Sequence, residues 1–140
     1  MNRLIWKILL SGCIFLLPCS CQHKRVDYYY TSIIEYVNNC PGPVELKFEG
    51  KAAQVPDMLR IESGESKSFG FSSEGPMFPI IGRIEIKSVQ SGSIVMHEYS
   101  DAGLTNNLCE SASYTCSDSA KREKTYRFVF NPDFFSATGE

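Results

Sequence analysis

From Tyr28 onward, hydrophobic and polar positions recur with a period of two rather than 3.6, the pattern of strands with one buried face. "YYYTSIIEYVNN" (Tyr28 to Asn39) is rich in aromatic and β-branched residues and ends in turn formers, so it predicts a long first strand. Pro41, Gly42 and Pro43 interrupt any ladder there. "VELKFEG" then alternates, with Val44, Leu46 and Phe48 on one face and Glu45, Lys47 and Glu49 on the other. "MLRIESGESKSFGF" predicts two strands around Ser63-Gly64-Glu65. "GRIEIKSV" turns Ile84 and Ile86 inward, "QSGS" reverses the chain and "IVMHEY" returns. "KTYRFVFN" is the last strand, with Tyr126, Phe128 and Phe130 on one face.

Residues 101 to 120 read as a long irregular connection with room for a short strand at "SYTC", and no segment carries a convincing helical period. About seven short strands at hairpin spacing predict an all-β fold, an antiparallel β-sandwich immunoglobulin-like in outline, with a closed barrel as the alternative.

The first 20 residues are of another kind. Arg3 and Lys7 give a basic start, and Ile8 to Pro18 is apolar except for Ser11 and Gly12. That is the layout of a secretory signal, a helical apolar segment too short to span a bilayer. Cysteines follow it instead of an A-x-A site. The stretch resembles a bacterial lipoprotein signal, in which a lipobox of Leu, small, small, Cys precedes the lipid-modified cysteine. Cys21, behind Ser20 and a full apolar run, is the expected lipidation site; Cys19, behind Pro18, and Cys13, in "LSGC", are the alternatives. The resulting division is a signal peptide over 1–20, a lipidated cysteine and short polar tether over 21–27, and one β-sandwich domain over 28–140. The resemblance implies several acyl chains on one cysteine, palmitate among them, and hence a stable anchor.

Composition narrows the partners. Removing Arg3 and Lys7 with the leader leaves 12 basic against 16 acidic side chains on a mature chain of 120 residues, a net charge of −4 by count. The only basic clusters are Lys24-Arg25 and "KREK" at Lys121 to Lys124, so nucleic acid is not an expected partner. Three cysteines remain past the anchor: Cys40, Cys109 and Cys116. An exported chain permits disulfides, and an odd count leaves one thiol free or paired between chains. Cys109–Cys116, across "ESASYT", is the preferred bridge, with Cys40 as the other available partner of either.

Lipid signal, short tether, then "EYVNN", "RIESGES", "GRIEIKS" and "YRFVFNPDFF" together resemble small lipoproteins of the Bacteroidetes, many of them of unknown function. That resemblance implies a lipid-anchored protein of the cell envelope, at the outer membrane. "DSA" at Asp118-Ser119-Ala120 is similar to the O-glycosylation sequon of that phylum, with Ser119 as acceptor. "QHKR" follows Cys21 where surface-displayed members often carry acidic residues, which leaves a periplasm-facing anchor open beside surface display.

Catalytic motifs are missing: no G-x-S-x-G, H-E-x-x-H or P-loop occurs. His97 is the only histidine after the tether, and it points outward if Met96 faces the core. Glu98 and Asp101 are one carboxylate pair among many, and Asp101, Asn106 and Asn107 fall short of a calcium loop. Three cysteines with His97 lack the close Cys pair of a zinc site. No metal, cofactor or enzymatic activity is therefore expected. The better candidates for contact are apolar. "GPMFPI" at Gly75 to Ile80 sets Met77 and Phe78 between prolines, either as a plug for one end of the sandwich or as a rigid tip. Tyr29 faces opposite to Tyr28 and Tyr30 and suits a glycan or protein partner. Phe134 and Phe135 in "NPDFF" are expected to fold back on the sheet. The expected function is a non-catalytic binding module, with an accessory subunit of an envelope complex as the alternative and a small hydrolase as the lesser one.

Overall fold

The computed structural model describes residues 29–101, 103 and 106–136. The leader with Cys13, Cys19 and Cys21, and the tether through Tyr28, lie outside the described residues. Eight strands form two four-stranded sheets: β1 (Tyr30–Asn38), β2 (Val44–Lys51), β3 (Met58–Ile61), β4 (Ser66–Ser73), β5 (Ile81–Ser88), β6 (Ile94–Glu98), β7 (Thr115–Ala120) and β8 (Glu123–Phe130). One sheet runs β4-β1-β8-β7 and the other β3-β2-β5-β6. Among the described residues, a single 3₁₀ turn occupies Ser111–Ser113, and one helical turn, α1, spans Asp133–Ser136. The chain is an all-β sandwich.

Alternation produces the core. Ile34 and Tyr36 of β1, Val44, Leu46 and Phe48 of β2, Ile84 and Ile86 of β5, and Tyr126, Phe128 and Phe130 of β8 all point between the sheets and are buried. Tyr36 sits at the centre, stacked on Phe130 with centroids 6.0 Å apart and edge-on to Tyr114 at 5.9 Å. Its hydroxyl lies 2.8 Å from that of Tyr114, which donates in turn to the Leu108 carbonyl at 2.9 Å. Two buried phenols are thus satisfied within an apolar layer, the condition on which such groups are tolerated. Phe134 packs on Phe130 at 5.2 Å and on Phe128 at 5.7 Å, so "NPDFF" does fold back over the sheet.

The outer face of the β3-β2-β5-β6 sheet is laced with charge. Arg60 bridges Glu45 and Glu62 at 2.8 Å each, Lys47 meets Glu49 at 2.9 Å, and Arg83 reaches Glu49 and Glu98 at 3.8 Å. Exposed pairs of this kind add little stability. They do mark the face as solvated.

Three features differ from the sequence reading. First, β1 and β8 pair in parallel, Ile34 opposite Tyr126 and Tyr36 opposite Phe128, while every other pairing is antiparallel. Parallel neighbours need a long crossover, and the excursion through the opposite sheet supplies it. Second, β3 and β4 flank Ser63-Gly64-Glu65 but belong to different sheets. Gly64, at φ +77°, turns the chain from one layer to the other, and its N–H donates to the Asn38 carbonyl at 2.8 Å. Third, "TCSDSA" forms a complete edge strand, β7, exposed along its length and bulged between Asp118 and Ala120.

Four connections cross between the sheets, two at each end. At one end Asn39–Pro43 and Glu62–Glu65 are tied by Asn38, which is fully buried. Its Nδ2 donates to the carbonyls of Gly42 (2.9 Å) and Ile61 (3.0 Å), and its Oδ1 accepts the Cys40 N–H at 2.9 Å. At the other end the crossings are the β4–β5 loop, residues 74–80, and the β6–β7 connection. Asn107 anchors the latter in the same manner: Nδ2 donates to the Glu98 carbonyl at 2.9 Å and Oδ1 accepts the Cys109 N–H at 3.0 Å.

Candidate functional site

The loop end of the sandwich, where the chain enters β1, brings together most of the side chains singled out above. The segment "EGPMFPI" must cross from β4 to β5 over the open mouth of the core. Pro76 and Pro79 fix φ and remove two donors, so it crosses as a stiff span without a ladder. Phe78 turns inward and is half-buried, its ring 5.0 Å from Tyr114 and 5.1 Å from Tyr126. The Ser32 hydroxyl, itself buried, clamps the span by donating to the Met77 carbonyl at 2.7 Å. The Met77 side chain points the other way and is 49% exposed. The loop is therefore both plug and tip: Phe78 closes the core while Met77 and Ile80 face outward.

A groove of about 410 Å³ lies between the two crossing connections of this end, with Met77, Ile80, Tyr99 and Glu110 among its walls. Tyr99, whose N–H donates to the Gly82 carbonyl at 2.9 Å, and Ile80, whose carbonyl accepts from Ala52 at 3.0 Å, are fixed there by backbone bonds. A second hollow of about 420 Å³ adjoins it, walled by Tyr30, Ser32 and Pro76 on one side and the β7–β8 hairpin on the other. Lys121, Arg122 and Lys124 line that hollow, with Asp118 and Glu123 interspersed. Lys124 Nζ stands 5.7 Å from the centroid of Tyr126; the field of that phenol, then of Cys116, raises the lysine pKa.

Tyr29 is 60% exposed and stands where the chain enters this end. Ser119 falls at the β7 bulge, exposed, its hydroxyl 2.6 Å from that of Thr125. Tyr29, Met77, Phe78 and Ser119 thus share one end of the molecule. Ile80 and Tyr99 belong with them and escaped the sequence reading. Ile80 merges with the apolar start of β5, and Tyr99 sits in a polar run that gives a lone tyrosine no pattern.

The expected Cys109–Cys116 disulfide is not formed. Cys40, Cys109 and Cys116 are free thiols. Cys109 is buried in the core, its Sγ donating to the His97 carbonyl at 3.4 Å, whereas Cys116 is exposed on β7, the edge strand that follows the 3₁₀ turn. Burial, only partly offset by a backbone hydrogen bond, pushes the Cys109 thiol up to about 11, the opposite of a thiolate nucleophile. His97 likewise departs from the outward orientation considered above. Val95 pairs with Ile86 and His97 with Ile84, so both share the inward face, and Met96 lies on the other. His97 Nδ1 accepts the Leu108 N–H at 3.1 Å, and its ring packs edge-on to Phe134 at 6.0 Å. Burial lowers the imidazole pKa, and Asp101 partly restores it. Here His97 and Cys109 hold the β6–β7 connection to the sheet. Among the described residues, no group of three or more His, Cys, Asp or Glu side chains is placed to hold a metal.

The fold and this end define a β-sandwich domain with a stiff, partly apolar loop tip. Comparison with protein-family models, with curated proteins and with solved structures finds no match.

Proposed function

We propose that the chain is a cell-envelope lipoprotein, anchored at the outer membrane through Cys21, whose sandwich is a non-catalytic interaction module acting through its loop end. The leader supports the anchor: a basic start, an apolar run of signal length and, behind Ser20, Cys21 within three residues of its end. The observation that carries the module is the gathering of exposed apolar side chains on a stiff frame. Met77, Ile80 and Tyr99 rim one groove, while the neighbouring outer sheet face is covered by ion pairs. Scattered surface apolar residues need no explanation, but a contiguous set on a rigid frame marks a contact surface.

Intact mass of the protein recovered from membranes tests the anchor. A chain beginning at Cys21 with a diacylglyceryl adduct is the expected species, Cys21→Ala abolishes it, and incorporated palmitate follows the same pattern. An unmodified chain in the soluble fraction refutes the reading. The same spectrum reads any glycan on Ser119. For the module, in-membrane cross-linking from Ile80 that captures neither lipid, glycan nor protein would refute it.

A further inference from the structure

Six large apolar side chains stand exposed among the described residues, and four of them belong to one end: Tyr29, Met77, Ile80 and Tyr99. Several bonds fix that placement. Ser32, two residues into β1, holds Met77; Gln54 Nε2 donates to the Ser72 carbonyl, and Ser72 pairs with Thr31; Ala52 and Gly82 hold Ile80 and Tyr99. Lys121 and Lys124 line the adjoining hollow beside Tyr30 and Pro76, in company with Asp118 and Glu123. The other two exposed apolar side chains, Met58 and Ile94, stand on β3 and β6, away from this cluster.

This is also the end from which the chain runs back to Cys21. Seven residues, Gln22 to Tyr28, lie between Cys21 and Tyr29. Fully extended they reach no more than about 28 Å, comparable to the length of β1 itself at about 3.3 Å per residue. A short linker holds a tethered surface at an effective concentration in the millimolar range, so weak intrinsic affinity suffices for contact. Isoleucine and methionine tips flanked by tyrosines, with lysines beside them, match the layered chemistry of a bilayer surface: acyl chains, then the headgroup level, then phosphates.

We propose that the loop end is a membrane-docking face, and that the partner of the module is the bilayer that carries its own anchor. Met77 and Ile80 enter the interface, Tyr29 and Tyr99 lie at the headgroup level, and Lys121 and Lys124 stand over lipid phosphates. The domain is then held upright, with the end built around Asn38 pointing away from the membrane. This inference rests on the lipidated reading of Cys21.

Trp6, in the leader, is the only tryptophan of the chain, so the mature lipoprotein has none. Met77→Trp, and Ile80→Trp as a second reporter should the first disturb folding, place a single emitter on the docking face. Ser91→Trp places one in the exposed turn at the opposite end. Each lipidated variant is reconstituted into phosphatidylcholine–phosphatidylglycerol vesicles with brominated acyl chains, at one protein or fewer per vesicle. Flotation reports the anchor and emission reports depth. Docking predicts a blue shift and a quenching of about twofold or more for Met77→Trp or Ile80→Trp, as for a side chain held in the interface, and neither for Ser91→Trp. A protein that floats with its loop-end tryptophans unquenched overturns docking and leaves the anchor standing. Equal quenching at both ends overturns it too. A blue shift seen only at high protein density, without bromine quenching, assigns the face to a second copy and overturns the bilayer as partner. A chain that carries no lipid and does not float removes anchor and docking together.

Discussion

Phe78→Ala separates the two roles of the β4–β5 loop. A phenylalanine gains about 1.5–3 kcal/mol when its side chain is fully buried. Phe78 is half-buried, so about 1–2 kcal/mol of that is present here. Its ring also meets Tyr114 at 5.0 Å and Tyr126 at 5.1 Å, tilted and edge-on respectively. Each such pair is worth about 0.5–1.5 kcal/mol beyond area. Their sum, reduced for water that can fill an open mouth, is a loss of about 3 kcal/mol, at the low end of the range for Phe→Ala in a closed core. Against a total of about 5–15 kcal/mol for a domain of this size, that is a large fraction, and the melting temperature should fall by about 10–20 °C. Met77→Ala, one residue away and half-exposed, should change stability by about 0.5 kcal/mol or less. Urea titration followed by tyrosine fluorescence reads both, and an unchanged denaturant slope confirms that the comparison is of the same transition. If the two alanine variants melt together, the ring does not plug the sandwich, and the loop owes its position to its prolines and to Ser32 alone.

Other perturbations bear on other parts of the molecule. Asn38→Ala strands the Gly42 and Ile61 carbonyls and the Cys40 N–H, so a loss of about 3 kcal/mol is expected in the same titration. Asn38→Asp should cost more at neutral pH, because a carboxylate faces two carbonyls, and the gap should narrow as pH falls toward about 4; a pH-independent gap would show that the side chain is not so placed. His97 binds protons less readily folded than unfolded. Its contribution is therefore fully present above pH about 6.5 and is lost as pH falls through the depressed folded value. Stability should rise more steeply from pH 5 to 7 in the native chain than in His97→Asn, and equal slopes would mean that His97 is not buried. Iodoacetamide on the native protein should alkylate Cys116 and spare Cys40 and Cys109; a resistant Cys116 with a mass deficit of two hydrogens would restore the bridge to Cys109.

What could be read from the sequence was what a strict period of two encodes. Val44, Leu46 and Phe48, and Ile84 and Ile86, alternate against charged neighbours, and Tyr126, Phe128 and Phe130 recur as aromatics at every second position, so one face of each strand was determined before any partner was known. Partnership is not encoded that way. Ser63-Gly64-Glu65 has the composition of a hairpin turn, yet serves a crossover, because a glycine at positive φ reverses the chain equally well within a sheet or between sheets. β7 lacks alternation because both faces of an outer strand meet water, and "TCSDSA" accordingly reads as a loop. The face of His97 was ambiguous because Ile94, Val95 and Met96 are all apolar, and only the register against Ile84 and Ile86 decides it. Asn38 passed as a turn former, and Asn107 was weighed only as a calcium ligand. Each stands two residues before a cysteine whose N–H it binds, and that Asn-x-Cys spacing, twice in the chain, was the local signal of an Asx turn.

The parallel pairing of β1 with β8 gives this arrangement its polarity. Both strands start at the loop end and finish at the Asn38 end, so the chain enters the domain at one pole and α1 closes it at the other. An antiparallel pairing of the same two strands would have brought Phe134 and Phe135 beside Tyr29 and covered the apolar tip. As built, the C-terminal aromatics are spent on Phe128 and Phe130 at the far pole. Met77 and Ile80 are left exposed at the pole where the chain enters β1. The exposed apolar cluster is thus tied to the topology: the strand pairing that completes the core is also the one that leaves the tip open at the pole where the chain enters β1.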